Sequence, residues 1–163
     1  MVMGSPGLSR AGWEQWEGMA NQDWGLEPPD GLNPGLLAHL RPRPDLDAGP
    51  WALAHGAHAA MDLSDGLARD GARLAKASGV DLVVSVDALP PLPASVELDL
   101  AGRLAGGEEH ELLSLAPPSC RSSFEARGFA VIGEAVEASH APTIRWTQEG
   151  RPLALSPRTY EHF

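Results

Sequence analysis

The stretch Met61-Asp62-Leu63-Ser64-Asp65-Gly66-Leu67-Ala68-Arg69-Asp70 decides the reading of this chain, because within it an apolar run meets a helical pattern. Two acids three residues apart are placed to share one face of a starting helical turn. Ser64 or Asp65 can cap that turn by accepting from an orphan N–H. Hard carboxylate oxygens beside a helix N-terminus suit a meeting of Mg²⁺ with phosphate. On spacing alone, a plain capping turn whose acids face solvent is the favoured account.

Beyond Gly66, Leu63, Leu67, Leu74 and Ser78 recur at helical spacing, with Arg69, Asp70, Arg73 and Lys76 for the wet side. Gly79 sits at the left-handed cap position. Residues 80–86 alternate as a strand, with Val80, Leu82, Val84 and Val86 on one face. The prolines of Leu89-Pro90-Pro91-Leu92-Pro93 stop it. Residues 95–104 read as a helix. Ala105-Gly106-Gly107-Glu108-Glu109-His110-Glu111-Leu112-Leu113 is a poor helix interior. It suits a loop that delivers polar side chains to a site, followed by a strand to about Ala116; the rival account is a solvated charge run. Residues 118–127 read as helix and 129–136 as one strand. A hairpin turning at Glu149-Gly150 follows. The tail Tyr160-Glu161-His162-Phe163 carries two aromatics, which favours docking over a free end.

Upstream, residues 2–12 run from a short strand through a glycine-rich turn into a helix. They lack the spacing and lysine of a P-loop. Trp13 and Trp16 mark a helix face, for which packing is favoured over a ligand platform. Residues 23–50 are rich in Pro, Gly and Asp, with one short helix at Pro34–Leu40. Arg41-Pro42-Arg43-Pro44 leaves that helix, since a residue before proline avoids the α region. Residues 51–61 read as helix leading into a buried segment at 57–63. His55 and His58 have metal-like spacing but no third ligand nearby, so packing or surface roles are favoured. Helices and strands alternate without a strict βαβ rhythm, which predicts an α+β domain with a mixed sheet and packed helices.

A chain of 163 residues with 43% apolar content is one ordinary domain with a real core. No apolar run reaches membrane-spanning length and no leader is evident. The single cysteine, Cys120, fits a reducing compartment, so a cytoplasmic location is expected. A net charge of −10 argues against a nucleic-acid surface but not against a nucleotide held through metal.

Taken in order, five segments resemble bacterial thiamine-monophosphate kinases. They are the glycine turn at residues 3–12, Arg41-Pro42-Arg43-Pro44, Asp62-Leu63-Ser64-Asp65-Gly66-Leu67, the 105–113 segment, and the Tyr160-Glu161-His162-Phe163 tail. The resemblance covers 1–163 as a single C-terminal-type domain, shared with aminoimidazole ribonucleotide synthetase and its relatives. The family's N-terminal ATP- and Mg²⁺-binding domain is expected to be absent. The resemblance implies transfer of the ATP γ-phosphoryl group to thiamine monophosphate, giving thiamine diphosphate, with homodimers among full-length members. It implies Mg²⁺ at Asp62 and Asp65, nucleotide contact at Ser64, and substrate contact at Glu108 and Tyr160. Glu109-His110 departs from the family's Asp-Tyr. Thr159 and Glu161 depart from Gly and Asp. The expected partners are ATP, thiamine monophosphate and the missing half, with neither nucleic acid nor membrane. A chain without that half is expected to be inactive. The alternative is a non-catalytic thiamine-phosphate-binding module, pseudoenzyme or partner subunit.

Overall fold

The computed structural model of the protein describes residues 1–19 and 32–155. Eight strands and six α-helices are described: β1 (Val2–Met3), α1 (Leu8–Gly18), α2 (Pro34–Leu40), α3 (Ala48–Ala54), β2 (Ala59–Leu63), α4 (Leu67–Ser78), β3 (Val80–Ser85), α5 (Leu100–Ala105), β4 (Glu111–Leu115), α6 (Arg121–Ala126), β5 (Phe129–Ala130), β6 (Gly133–Glu137), β7 (Ile144–Gln148) and β8 (Arg151–Leu153). The class is α+β as expected. The strands form two four-stranded sheets, ordered β2-β4-β1-β5 and β6-β3-β7-β8. The first is antiparallel throughout, and the second is mixed because β3 and β7 run parallel.

Alternation explains how the main core is shared between the sheets. Leu82, Val84 and Val86 point into it, as their spacing predicts, with Val80 packed against it. Leu63 and Leu113 enter from the first sheet and Leu67, Leu74 and Ala75 from α4. At Gly71 an added β-carbon would lie 2.7 Å from Ile144 Cδ1, so the missing side chain lets α4 lie close to β7. A second cluster joins α3, α6 and β5 through Ala48, Ala52, Phe124 and Phe129. Trp51 and Phe124 meet edge-on at 5.0 Å there.

Several local expectations are corrected. The helix expected over 51–61 is α3, which ends at Ala54, and β2 takes over at Ala59. The helix expected over 95–104 starts only at Leu100, because Asp99 caps it by accepting from the Gly102 N–H at 2.6 Å. The strand expected over 129–136 divides into β5 and β6, which belong to different sheets. Ile132 between them is buried in the main core and its carbonyl accepts from the Ser85 N–H. The hairpin stands, with β7 and β8 antiparallel and Glu149 in the left-handed region at φ 49°.

The turn after β2 also differs from its expectation. Asp62 lies in a strand, and strand periodicity puts it opposite Met61 and Leu63, on the exposed side. Asp62 and Asp65 therefore do not share a helical face. Helix α4 starts at Leu67 behind Gly66, whose φ of 98° and lack of a side chain leave no cap by Ser64 or Asp65. The polarity of the contact is reversed: the Asp65 N–H donates to the Asp70 carboxylate at 2.7 Å.

Candidate functional site

Strand pairing brings two segments distant in sequence into contact. β2 and β4 run antiparallel with Leu63 opposite Glu111. Past the end of that ladder, the His110 N–H donates to the Leu63 carbonyl at 3.0 Å and the Glu108 N–H to the Ser64 carbonyl at 2.8 Å. Glu108 and His110 take left-handed backbone at φ 60° and 52° to make this pairing. Such conformations in non-glycine residues carry a strain that local structure must offset. Gly107 permits the approach, since a β-carbon there would stand 2.6 Å from the Ser64 carbonyl oxygen.

The glycine turn that precedes α1 closes over the same loop. The Glu109 carboxylate accepts from the backbone N–H groups of Gly7 at 3.0 Å, Ser9 at 3.2 Å and Arg10 at 3.4 Å. It thereby fills the electropositive start of α1. The Glu111 carboxylate accepts from the Ser5 N–H at 3.2 Å. Burial outweighs these bonds and pushes both glutamates up to about 7. Burial also lowers Arg103, against the attraction of Glu109.

Beside this half-buried pair lies a small pocket of about 70 Å³ lined by Ser9, Arg10, Trp13, His39, Ser64, Gly107 and Glu108. The Glu108 side chain is 70% exposed at its edge, with Oε2 3.5 Å from His39 Nδ1. The same Nδ1 lies 3.3 Å from Ser9 Oγ. Trp13 meets the His39 ring edge-on at 5.5 Å. Trp13 is half-buried, so it packs and lines the pocket at once. The pocket thus offers an acceptor carboxylate, an imidazole, a hydroxyl and an indole within a few ångströms.

Of the expected site residues, Ser64 and Glu108 are brought together by the backbone bond between them. Asp62 is on the adjoining strand with an exposed side chain. Asp65 is buried, and its Oδ2 accepts from Arg73 Nη1 at 2.5 Å, with Arg69 Nε at 3.7 Å. Tyr160 lies outside the described residues. No group of three or more His, Cys, Asp or Glu side chains that could hold a metal occurs among the described residues.

His39, Glu109 and Glu111 were not among the expected site residues. The charge run was a visible signal for the glutamates, but their backbone partners lie at the far end of the chain. His39 carried no signal beyond falling in the last turn of a short helix.

The family described as AIR synthase related protein, C-terminal domain, matches residues 1–144. Among curated proteins, the thiamine-monophosphate kinase of Salmonella typhimurium is 35% identical over 139 positions, covering 78% of this chain and 42% of the relative. That of Escherichia coli K12 is 33% identical, covering 99% of this chain and 51% of its own length. That of Synechococcus elongatus is 34% identical, covering 100% and 51%. A solved structure described as AaThiL complexed with AMPPCP and TMP superposes with a TM-score of 0.76 at 27% identity, covering 99% of this chain and 50% of that one. The thiamine-monophosphate kinase of Stenotrophomonas maltophilia gives 0.74 at 26% identity, covering 93% and 50%. The chain spans about half the length of the relatives it matches.

Proposed function

The chain belongs to the AIR synthase related C-terminal domain family, and on that premise we propose that it is the C-terminal part of an ATP-dependent thiamine-monophosphate kinase. The reaction moves the ATP γ-phosphoryl group onto thiamine monophosphate and gives thiamine diphosphate. The observation that carries the proposal is the backbone contact of Ser64 with Glu108 in one pocket, the two residues that the resemblance assigns to nucleotide and to substrate.

Phosphoryl transfer depends on positioning and charge neutralisation rather than on a covalent enzyme intermediate. Glu108 presents an exposed carboxylate that can accept from an amino group or pair with a cationic ring. Trp13 supplies an apolar wall that favours a flat cation. By resemblance Ser64 contacts the nucleotide and Tyr160 the substrate.

By resemblance Asp62 would hold Mg²⁺, and its exposed carboxylate supplies hard oxygens of the kind this ion prefers. Asp65 does not fit the ion as it stands, since Arg73 and Arg69 hold its carboxylate. Mg²⁺ held at Asp62 would neutralise phosphate charge. The protein works in the cytoplasm in this account. Among the described residues no helix is long and apolar enough to cross a membrane.

The test is to fuse the N-terminal half of a matched relative ahead of Val2 and assay thiamine diphosphate formation. Turnover in the fusion, absent in the 163-residue chain and reduced at least about tenfold by Glu108→Gln, is the expected result. Binding of thiamine monophosphate without turnover in the folded fusion would return the chain to a non-catalytic module. No binding at all would reject both accounts.

A further inference from the structure

In the small pocket a firmly seated imidazole stands next to a carboxylate that little else holds. His39 lies in the last turn of α2, with its side chain 13% exposed. Trp13 meets its ring edge-on at 5.5 Å, and the buried Ser9 places Oγ 3.3 Å from Nδ1. Gly12 makes room for it, since a β-carbon there would stand 2.9 Å from His39 Cβ. Glu108 is the contrast. Its side chain is 70% exposed, and His39 is its one side-chain partner among the described residues, with Oε2 3.5 Å from Nδ1.

One proton position serves both neighbours of Nδ1. An ionised carboxylate only accepts, so Glu108 requires the proton on Nδ1, and the Ser9 hydroxyl can accept from it as well. Glu108 and Ser9 meet the same ring nitrogen, so the three do not line up as nucleophile, base and orienting acid. We propose that His39 is a positioning residue for Glu108: its Nδ1–H anchors Oε2, which leaves Oε1 to receive an amino group or ring cation of the substrate. This rests on the reading of Glu108 as a substrate contact. His39 acts through Glu108 and not on the reacting atoms.

The ring serves this role best when neutral. An imidazolium would set a positive charge 3.5 Å from the carboxylate that is to meet a cation, and the two cations would compete for it. A neutral ring with its proton on Nδ1 orients the carboxylate and leaves its charge for the ligand. An exposed glutamate otherwise samples several rotamers, which binding must then freeze. Packing against Trp13 and Gly12 fixes the ring, so the carboxylate is aimed before the ligand arrives.

The experiment titrates thiamine monophosphate into the 163-residue chain by calorimetry and reads the His39 ring nitrogens by nitrogen NMR. The set comprises the parent, His39→Asn, His39→Gln, His39→Leu, Glu108→Ala and the double variant His39→Leu/Glu108→Ala. An asparagine amide carries its N–H near the place of Nδ1, and a glutamine amide near that of Nε2. His39→Asn should therefore bind within about twofold of the parent, and His39→Gln and His39→Leu about tenfold more weakly, the scale of one hydrogen bond to a charged group. In the Glu108→Ala background, His39→Leu should change affinity by less than about twofold. The parent spectrum should show the proton on Nδ1, and Glu108→Ala should shift it toward Nε2. Equal losses in His39→Asn and His39→Gln, or the same loss from His39→Leu with and without Glu108, would overturn the proposal and leave a packing histidine. If melting shows His39→Leu unfolded, the contrast between His39→Asn and His39→Gln decides. Binding that Glu108→Ala weakens and no His39 variant changes also overturns it, with the substrate reading of Glu108 intact. Binding that Glu108→Ala leaves unchanged, or no binding by the parent, rejects that reading and the proposal with it.

Discussion

The carboxylate of Glu111 fills the space that a side chain on Gly4 would need: Oε2 lies 1.2 Å from the position of an ideal β-carbon there. Gly4 also has φ 86°, in the left-handed region. The pair ties the start of the chain to the strand that leaves the candidate site. Gly4→Ala must displace Glu111 from the Ser5 N–H and strain its own backbone, for a loss of about 1–3 kcal/mol. In a Glu111→Ala background the same change should cost less, because the collision is gone. Urea denaturation of the four proteins gives the coupling directly, and additive losses would show that the two residues act independently.

Glu109 and Glu111 predict a pH dependence with a definite sign. Both are raised from 4.5 to about 7 in the folded protein, chiefly by burial. A raised folded value means the native state holds the proton better than the unfolded chain. The stability they contribute is complete below about pH 4.5 and is lost as pH climbs to about 7. Allowing for their partial exposure, the parent should lose about 1–3 kcal/mol across that window relative to Glu109→Gln/Glu111→Gln. Denaturation midpoints at intervals from pH 4.5 to 8 measure this, and parallel curves for parent and double variant would refute it.

Asp62 and Asp65 should separate sharply in stability despite their shared motif. Asp62 is exposed on a strand, so Asp62→Asn is expected to stay within about 0.5 kcal/mol of the parent. Asp65→Asn weakens a buried, short charge-assisted bond to Arg73 and should cost about 1–3 kcal/mol. Thermal melts of the two single variants in metal-free buffer make the comparison. Equal losses would count against the buried network.

Gly12 offers a test of helix packing. Inside a helix, Gly→Ala ordinarily stabilises by about 0.5–1 kcal/mol. Here a β-carbon would stand 2.1 Å from the carbonyl oxygen of Gly35, where α1 and α2 press together. Backbone cannot move aside as a side-chain end can, so Gly12→Ala should destabilise by about 1–3 kcal/mol. It should also disturb the Trp13–His39 contact that shapes the pocket. A stabilised variant would mean that the helices separate freely.

The sequence by itself determined what depends on neighbours within a turn or two. Helix α4 and its Gly79 stop, the alternating face of β3, the final hairpin and the polar loop at residues 106–110 were all legible, because periodicity and turn chemistry are local. The motif resemblance likewise picked out Ser64 and Glu108, which the fold brings together. Tertiary structure alone decided which faces those residues show and what holds them. Asp62 turned outward because pairing with β4 made its segment a strand, and a period of two replaces the helical period that the acid spacing suggested. Asp65 acquired Arg73 because Gly66 redirects the chain before α4 begins. Glu109 found its three N–H donors at the other end of the chain, through a packing of helix start against loop that no short window of sequence contains. Long-range pairing depends on which ladders and cores can close together, and that is a property of the whole folded chain.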